Sequence, residues 1–355
     1  MLPYILLSAS PIVLSFFLRG LSSQNRIELV KAKKIFLIIC GILLFLFIGL
    51  RHPSLGSGDT LSYQDMMKRA IEFDSWEQYY NPGSKEVGFQ FFLFCISRVF
   101  SDPQMLLVIT AAIFSYSVCL FIYRNSDDVI LSAVLFITVG GMTFYMQGMR
   151  QALAMSIALF AFESAKQHKP IRFLLQVTLA TLFHQTAIVL LLLYVVRFLK
   201  YDFKSFAVTG LAITIFALNL DTLIEFANEL FEKEYDGIVE SGGYIAVTIH
   251  VLILVTAFLF DKSAKKGGTE TMFLYVALAG AAIYVTRYFG VGIAERISFY
   301  FLFSQFILLP NALSHLEIRA QTMLKMAVYI LAIALSVYRL YGSDLVPYTF
   351  FWMER

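Results

Sequence analysis

A few charged and polar side chains interrupt the long apolar stretches of this 355-residue chain. His184 and Gln185 lie at the centre of an apolar run over residues 173–198, and Arg150 lies between two apolar segments. A charge at the centre of a membrane helix costs about 2.5–3.5 kcal/mol, so such residues are usually functional. Arginine binds phosphate oxygens through two parallel hydrogen bonds, and imidazole exchanges a proton near neutral pH. These residue types point to phosphate recognition and acid–base chemistry.

The composition predicts an all-α polytopic membrane protein with one transmembrane domain over residues 1–355. Hydrophobic residues make up 59% of the chain and charged residues 15%, against about 45–50% and about 25% in soluble domains. The net charge of +3 is too small to indicate nucleic acid as a partner. The three cysteines all lie in apolar segments, so no disulfide framework is indicated. No metal-binding or P-loop motif occurs, and we expect no metal and no cofactor.

Hydropathy predicts about ten full transmembrane helices. They cover residues 2–18, 33–50, 105–123, 129–147, 150–165, 205–219, 244–260, 271–289, 297–314 and 324–341. Residues 86–100 are too few to span a bilayer, and we expect an amphipathic helix at the outer interface there.

Lysine and arginine in the short loops set the orientation, because cytoplasmic loops are enriched in both. Five loops hold 16 of the 28 basic residues, and these are residues 19–34, 164–172, 197–204, 261–270 and 315–325. Residues 220–243 carry seven acids and one lysine, and residues 51–104 include a long polar excursion. The five basic loops are therefore predicted to be cytoplasmic and the other two segments to be outer loops.

The apolar run over residues 173–198 must cross the membrane an even number of times, because Arg172 and Arg197 both lie in predicted cytoplasmic loops. Two half-length helices that meet near residues 183–185 satisfy this condition. Irregular backbone at membrane depth is tolerated only where it is packed in protein or lines a cavity. His184 is therefore predicted at the tip of a broken hairpin, facing the outer side.

The same topology places other charged and polar residues, which are costly to bury in a membrane, on the outer side. Beside His184 and Arg150 they are Arg51, Asp59, Tyr63, Glu86, Arg287 and Arg296. Preorganised arginines stabilise negative charge on a phosphate leaving group, and a carboxylate or imidazole accepts a proton from a hydroxyl. A lone arginine at a helix end is more often a headgroup anchor. The coincidence of these residues on one side favours a site for a phosphorylated lipid.

Six sequence blocks, in order along nearly the whole chain, resemble the EpsG-like family of Wzy-type polysaccharide polymerases. They are GLRHPSLGSGDTLSY, EVGFQFF, GMRQALAMSIALFAF, FHQTAIV, ERISFYF and VPYTFFW. The resemblance implies a multispan glycosyltransferase of the C type. Such a protein extends surface polysaccharides on the outer face of the bacterial cytoplasmic membrane from repeat units linked to undecaprenyl diphosphate. Its expected partners are that lipid-linked oligosaccharide and membrane lipids, with a repeat-unit flippase and a chain-length regulator as candidate protein partners.

The resemblance carries over ten positions: Arg51, Asp59, Tyr63, Glu86, Arg150, Gln151, His184, Gln185, Arg296 and Tyr348. The candidate catalytic bases are Asp59, Glu86 and His184. The sequence does not decide among them, although we favour a carboxylate as the base, with His184 orienting the diphosphate or the acceptor. The substrate-binding candidates are Arg51, Tyr63, Arg150, Gln151, Gln185, Arg287, Arg296, Tyr300 and Tyr348.

Two other functions remain open. A lipid-linked oligosaccharide transporter would carry cations along a path between the two faces of the membrane, whereas the cations here are predicted at one end. A membrane O-acyltransferase that modifies the polysaccharide would also use an intramembrane histidine. Its acyl-CoA arrives from the cytoplasm, however, whereas His184 is predicted to face outward.

The predicted topology can be tested by cysteine labelling in intact cells. Ser84→Cys and Ser241→Cys should react with an impermeant thiol reagent, because both positions lie in predicted outer loops. Ser263→Cys should be protected, because it lies in a predicted cytoplasmic loop. Labelling of Ser263→Cys from outside would reverse the orientation and move the polar cluster to the cytoplasmic side.

Overall fold

Helices make up nearly all of the regular structure. The computed structural model describes residues 1–19, 26–56, 59–84, 86–219, 244–260, 269–289 and 293–354, together with residues 222, 225 and 229. Most of the predicted outer loop 220–243 and of the predicted cytoplasmic loop 261–270 lies outside these residues. Strand pairing in the described part is one isolated bridge between Arg51 and Phe350.

The α-helices are numbered here in chain order. They are α1 Leu2–Arg19, α2 Arg26–Gly49, α3 Asp59–Glu72, α4 Trp76–Tyr79, α5 Val87–Ser97, α6 Gln104–Asn125, α7 Val129–Thr138, α8 Gly141–Gln147, α9 Met149–Lys166, α10 Pro170–Phe183, α11 Leu191–Val196, α12 Phe203–Leu218, α13 Tyr244–Phe260, α14 Thr269–Val285, α15 Ile293–Leu302, α16 Gln305–Ser314 and α17 Ile318–Leu340. Two 3₁₀-helices, Gln185–Leu190 and Thr286–Phe289, interrupt the series.

Four segments of the described part are long and apolar enough to cross a membrane. They are Glu28–Gly49, Gln104–Asn125, Ala294–Ser314 and Ile318–Leu340, and α7 with α8 would form a fifth if that bent pair is one span. The apolar segments of other helices, among them α1, α5, α10, α12, α13 and α14, are shorter, at 10–17 residues each. The predicted all-helical architecture is therefore present, and the predicted count of about ten full spans is not confirmed.

The predicted helix over residues 129–147 is not continuous. It bends by 44° between α7 and α8, where Gly140 has a φ of +111°. Glycine adopts this left-handed conformation without the steric cost that other residues have. The bend directs α8 towards Gly148 and the start of α9, where Arg150 lies.

The predicted break near residues 183–185 is confirmed. His184 has an extended backbone that ends α10, and the chain returns through a 3₁₀-helix and α11. The rings of Phe173 and Tyr194, at the open end of this hairpin, lie 5.1 Å apart. Arg197 there donates a hydrogen bond of 2.8 Å to Nδ1 of His168. His184 is therefore at the hairpin tip.

Helix α5 occupies the predicted interfacial segment, but it is not amphipathic in the expected sense. Its buried face carries Phe89 and Leu93, and its other face exposes Phe91, which is 53% accessible. The helix packs on α3 and on α10. Apolar side chains on both faces fit a helix that contacts protein on one side and lipid on the other.

Polar contacts place two of the predicted basic loops, residues 164–172 and 315–325, at the same end of the bundle. Lys166 donates to Asn125 at 2.9 Å, and Lys325 forms an ion pair with Asp128 at 2.5 Å. Arg150 is the second residue of α9 and Lys166 is the last, so the helix places them about 24 Å apart at 1.5 Å per residue. Arg150 and His184 therefore lie at the end opposite to the basic loops, as the topology requires.

Residues 341–354, called the C-terminal strap below, fold back over that opposite end. Tyr4 donates to the carbonyl of Leu345 at 2.8 Å, which joins α1 to the strap. Tyr348 donates to the carbonyl of Phe47 at 2.7 Å, which joins the strap to α2. The strap thus holds the first two helices against the loop that follows α2.

A close approach between α5 and α10 supports the placement of the hairpin tip and can be tested with one methyl group. A Cβ at Gly88 would lie 2.9 Å from Cβ and the carbonyl oxygen of Leu182. We expect Gly88→Ala to lower the free energy of unfolding by about 1–3 kcal/mol through overpacking. Thermal unfolding of the purified protein in detergent measures this change.

Gly210→Ala is the matched control, because no heavy atom lies within 4 Å of the added Cβ. Alanine is the better helix former by about 0.8–1.0 kcal/mol, so this variant should melt at the same temperature or slightly higher. Equal melting temperatures for Gly88→Ala and Gly210→Ala would contradict the contact between α5 and α10.

Candidate active site

A cavity of about 320 Å³ lies at the end of the bundle opposite to the basic loops. It is lined by Asp59, Tyr63, Phe144, Gln147, Gly148, Arg150, Gln151, His184, Glu295 and Arg296. Three of the surrounding helices, α3, α9 and α15, begin at this cavity. Helix N-termini carry partial positive charge and favour anions. The cavity therefore suits a ligand with negative charge.

The Glu86 carboxylate contacts both Arg150 and His184. It lies just before α5, where Oε1 is 2.7 Å from Nδ1 of His184 and Oε2 pairs with Nη1 of Arg150. Both Glu86 and His184 are buried, at 6% and 5% accessibility. An ion-paired carboxylate only accepts hydrogen bonds, so Nδ1 of His184 carries the hydrogen. The lone pair of the neutral imidazole is then on Nε2.

The second imidazole nitrogen of His184 has no hydrogen-bond partner in the described part of the chain. The side chain is part of the cavity wall, and this nitrogen, Nε2, is buried. An unsatisfied buried acceptor costs about 1–3 kcal/mol. A substrate hydroxyl that reaches this nitrogen would remove that cost.

Tyr63 and Arg150 form the next layer of the site. Nε of Arg150 donates to the Tyr63 hydroxyl at 3.0 Å, and the guanidinium lies 5.1 Å from the centre of the Tyr63 ring. Burial raises the pKa of the Tyr63 hydroxyl, although Arg150 acts in the opposite direction. Tyr63 therefore stays protonated at neutral pH, and its own O–H remains a hydrogen-bond donor beside the cavity.

Helix α15 supplies the second arginine of the cavity. Gln151 donates to the backbone carbonyl of Arg296, which fixes the start of α15 against α9. Glu295 pairs with Arg287 at 2.7 Å, so the charge of Arg287 is balanced at the edge of the site. The exposed Arg296 side chain has no ion pair within the described part of the chain and lines the cavity. Its charge is thus available to an anion.

The side chains of the cavity wall are suited to phosphate binding and to proton transfer. Within the described residues, no three His, Cys, Asp or Glu side chains are grouped as a metal site. The positive charges at the cavity come from guanidinium groups, which bind phosphate oxygens, and the imidazole that can accept a proton lies beside them. Asp59 is a second proton acceptor on the wall.

Arg51, a predicted substrate-binding residue, lies away from this cavity. It is 1% exposed and does not line the cavity. It donates to the carbonyl of Met146 at 2.9 Å and to Oγ1 of Thr60 at 3.2 Å. Neither a headgroup anchor nor a diphosphate ligand is buried in this way. Arg51 holds the first turn of α3 against the end of α8, and so positions two walls of the cavity.

Three further candidates also lie away from the cavity wall. Tyr348 stacks on Phe47 in the C-terminal strap, with ring centres 4.2 Å apart. Tyr300 is 1% exposed in the core, and Gln185 is half-buried at the start of the 3₁₀-helix. None of these three side chains lines the described cavity, so the structure gives no support to direct binding by them.

Three further residues line the cavity although they were not among the predicted site residues: Phe144, Gln147 and Glu295. Phe144 stacks on Phe299, with ring centres 4.0 Å apart, and forms an apolar wall. Glu295 directly precedes Arg296, and Gln147 directly precedes the glycine before Arg150 and its helix. A position within three residues of a predicted site arginine was therefore the signal that could have identified Gln147 and Glu295.

Comparison of the sequence with models of known protein families tests the resemblance that the six sequence blocks indicate. The model described as the EpsG family matches residues 34–350. The chain belongs to the EpsG family. This family is like the Wzy-type polymerases, so the protein is a multi-pass membrane protein related to polysaccharide polymerases. No curated protein and no solved structure matches the chain.

The match covers every residue of the cavity in this EpsG-family protein, from Asp59 to Arg296. It also covers Glu86 and the whole hairpin from α10 to α11. The site described above therefore lies inside the family region.

The shared carboxylate predicts a measurable stability change. Glu86→Gln removes the negative charge and replaces one of the two acceptor oxygens by an NH2 donor, so the side chain can no longer accept from both Arg150 and His184. We expect the free energy of unfolding to fall by about 1–3 kcal/mol, because one of these two donors loses its acceptor. The Arg150 side chain is 30% exposed, and water there keeps the loss below that of a fully buried ion pair. Denaturant unfolding of the purified protein measures it.

Asp65→Asn is the control. Asp65 on α3 pairs with Lys68, and both side chains are 60% exposed, so its loss should change the free energy of unfolding by less than about 1 kcal/mol. Indistinguishable values for Glu86→Gln and Asp65→Asn would mean that the Glu86 carboxylate does not hold Arg150 and His184 together.

Proposed function

We propose that this EpsG-family protein is a polymerase of surface-polysaccharide repeat units. It transfers a growing glycan from a polyprenyl diphosphate, such as undecaprenyl diphosphate, to a sugar hydroxyl of a second lipid-linked unit. The observation that carries the proposal is the joining of His184 to Arg150 through Glu86 at one cavity wall. A proton acceptor and two arginines in one cavity are what this transfer requires.

The arginines act on the leaving group. Bond cleavage leaves negative charge on the diphosphate oxygen, and fixed guanidinium groups stabilise such charge where it develops. Arg296 provides a charge that the described residues leave without an ion pair, and Arg150 faces the same cavity while it holds Tyr63 and Glu86. The starts of α3, α9 and α15 add their dipoles to the same region.

His184 is the base in this proposal, and Glu86 is its positioning residue. Both Glu86 oxygens are engaged by His184 and Arg150, so the carboxylate is poorly placed to take a proton from a sugar. It keeps the imidazole in the tautomer that has its lone pair on Nε2. This assignment differs from the carboxylate base that the sequence favours. Asp59, which also lines the cavity, is the rival base.

The site faces outward in this proposal, at the outer side of the bacterial cytoplasmic membrane. The cavity lies at the end of the bundle opposite to the basic loops, and basic loops are cytoplasmic in membrane proteins. A repeat-unit flippase would then deliver the lipid-linked substrate, and a chain-length regulator would act on the product.

The proposed function can be tested in a strain that lacks the gene for this protein, by analysing its lipid-linked glycans. Loss of the polymerase should leave single repeat units on the polyprenyl diphosphate, exposed at the outer face. Mass spectrometry of the extracted lipids, with an enzyme that digests only outward-facing glycans, measures both properties. Single repeats that stay inside would instead indicate a transporter, and longer chains of normal length would contradict a polymerase.

The choice of base is tested by two substitutions in the reconstituted protein. His184→Gln keeps hydrogen-bonding capacity but loses proton affinity near neutral pH, so the polymerisation rate should fall about 10²–10⁴-fold. Asp59→Asn should retain more than a tenth of the rate. His168→Gln is the control, because His168 is exposed at the opposite end of the bundle. Full turnover by His184→Gln, with none by Asp59→Asn, would transfer the role of base to Asp59.

A further inference from the structure

An apolar groove runs along α17, away from the catalytic cavity. It has a volume of about 430 Å³ and lies between α7, α13, α16 and α17. Its walls are apolar side chains with the single exception of Thr256. From Leu324 to Leu335 the groove follows α17 for about 17 Å at 1.5 Å per residue. Its length and its lining suit one extended hydrocarbon chain.

Arg339 closes one end of this groove. It lies four residues beyond Leu335 and therefore on the same face of α17, one turn further along. A Cβ at Gly140 would lie 2.9 Å from Nη1 of Arg339, and the preceding residue, Val139, lines the groove. The guanidinium is therefore next to the last apolar residue of the groove.

The two ends of the groove differ in charge. At the far end, Lys325 follows the lining residue Leu324 and is paired with Asp128 at 2.5 Å. At the near end, Arg339 is exposed and forms no ion pair with any residue that the structure describes. An amphiphile with an anionic head would thus place its head at Arg339 and its chain towards Lys325.

The end at Arg339 adjoins the catalytic cavity. Helix α8 starts after Gly140, and its seven residues end at Gln147, on the cavity wall, about 10 Å away at 1.5 Å per residue. A second connection runs through Tyr284, which interacts electrostatically with both Arg339 and Arg287. Arg287 pairs with Glu295, which also lines the cavity.

We propose that this groove binds the polyprenyl chain of a lipid-linked substrate, with Arg339 contacting its diphosphate as the headgroup passes towards the cavity. The inference rests on the proposed function, which requires a polyprenyl diphosphate at the cavity. A single apolar slot with one cation at its head fits one prenyl chain better than a phospholipid with two acyl chains. No residue of the groove belongs to the catalytic cavity.

The proposal is tested by photolabelling of the full-length protein in lipid nanodiscs. The probe is a polyprenyl diphosphate with a photoreactive group in the isoprene units next to the diphosphate, which are the units that a groove of this length holds. We expect labelled peptides from α13 and α17, and competition by unlabelled polyprenyl diphosphate but not by an equal amount of phosphatidylglycerol. Equal competition by phosphatidylglycerol would make the groove a general lipid site and overturn the proposal. Labelling spread evenly over α12 and the other exposed apolar helices would also overturn it.

Three variants locate the binding within the groove. Ala332→Trp fills the groove at a lining residue that is 5% exposed, and Val328→Trp fills it at a half-buried one in case the first does not fold. Each should reduce labelling of α13 at least tenfold. Ile330→Trp is the matched control, because Ile330 is 64% exposed and does not line the groove. Labelling of α13 that is unchanged in a folded Ala332→Trp or Val328→Trp protein would overturn the proposal.

Arg339→Gln tests the headgroup contact. The substitution should weaken labelling by the diphosphate probe several-fold. A second photoreactive probe, a polyprenol that lacks the diphosphate, should label the substituted and the unmodified protein equally. Equal labelling by both probes in the unmodified protein would show that Arg339 does not contact the diphosphate. Polymer formation does not enter any of these measurements. A protein that is labelled as expected but forms no polymer would therefore contradict the proposed function and not the groove.

Discussion

The site depends on one carboxylate that two other residues share. Arg150 lies 64 positions after Glu86 along the chain, and His184 lies 98 positions after it. Each of them contacts one of the two Glu86 oxygens. A buried carboxylate without partners is costly, as is a partly buried guanidinium, so each group stabilises the others. The three residues therefore fix the relative positions of α5, α9 and the hairpin that follows α10. The rest of the cavity is built on that frame.

Each of these three residues lies where a helix is interrupted. Glu86 precedes α5, Arg150 follows the break at Gly148, and His184 has an extended backbone between two helical segments. Backbone groups at such points lack their helical partners and must find others, which keeps these points away from lipid and inside protein. The same breaks point functional side chains into a common space. The bend at Gly140 acts similarly, because it places α8 between the cavity and the groove along α17.

The sequence predicted the position of His184 and much of its surroundings because polar groups at membrane depth are so costly. Charge in the loops required an even number of crossings after Arg172, and the polar pair of His184 and Gln185 indicated where the two half-length helices meet. The sequence could not predict which way a side chain points at the end of a helix. Arg51 and Arg150 look alike as isolated arginines between apolar segments, yet one holds the fold together and the other faces the cavity. The number of full spans was also beyond reach, since glycine bends and 3₁₀ turns divide apolar runs into shorter helices.

The C-terminal strap has a consequence for how the protein is made. Tyr4 and Leu345 are 341 positions apart, and their hydrogen bond closes the same end of the bundle that contains the cavity. The ribosome makes the strap only after it has made α1 to α17, so α1 and α2 lack this partner while the intervening helices are synthesised. During that time, the loop after α2 lacks the bridge between Arg51 and Phe350. Assembly of this end therefore cannot finish before α17 and the strap have been made, and it depends on strap residues that do not line the cavity.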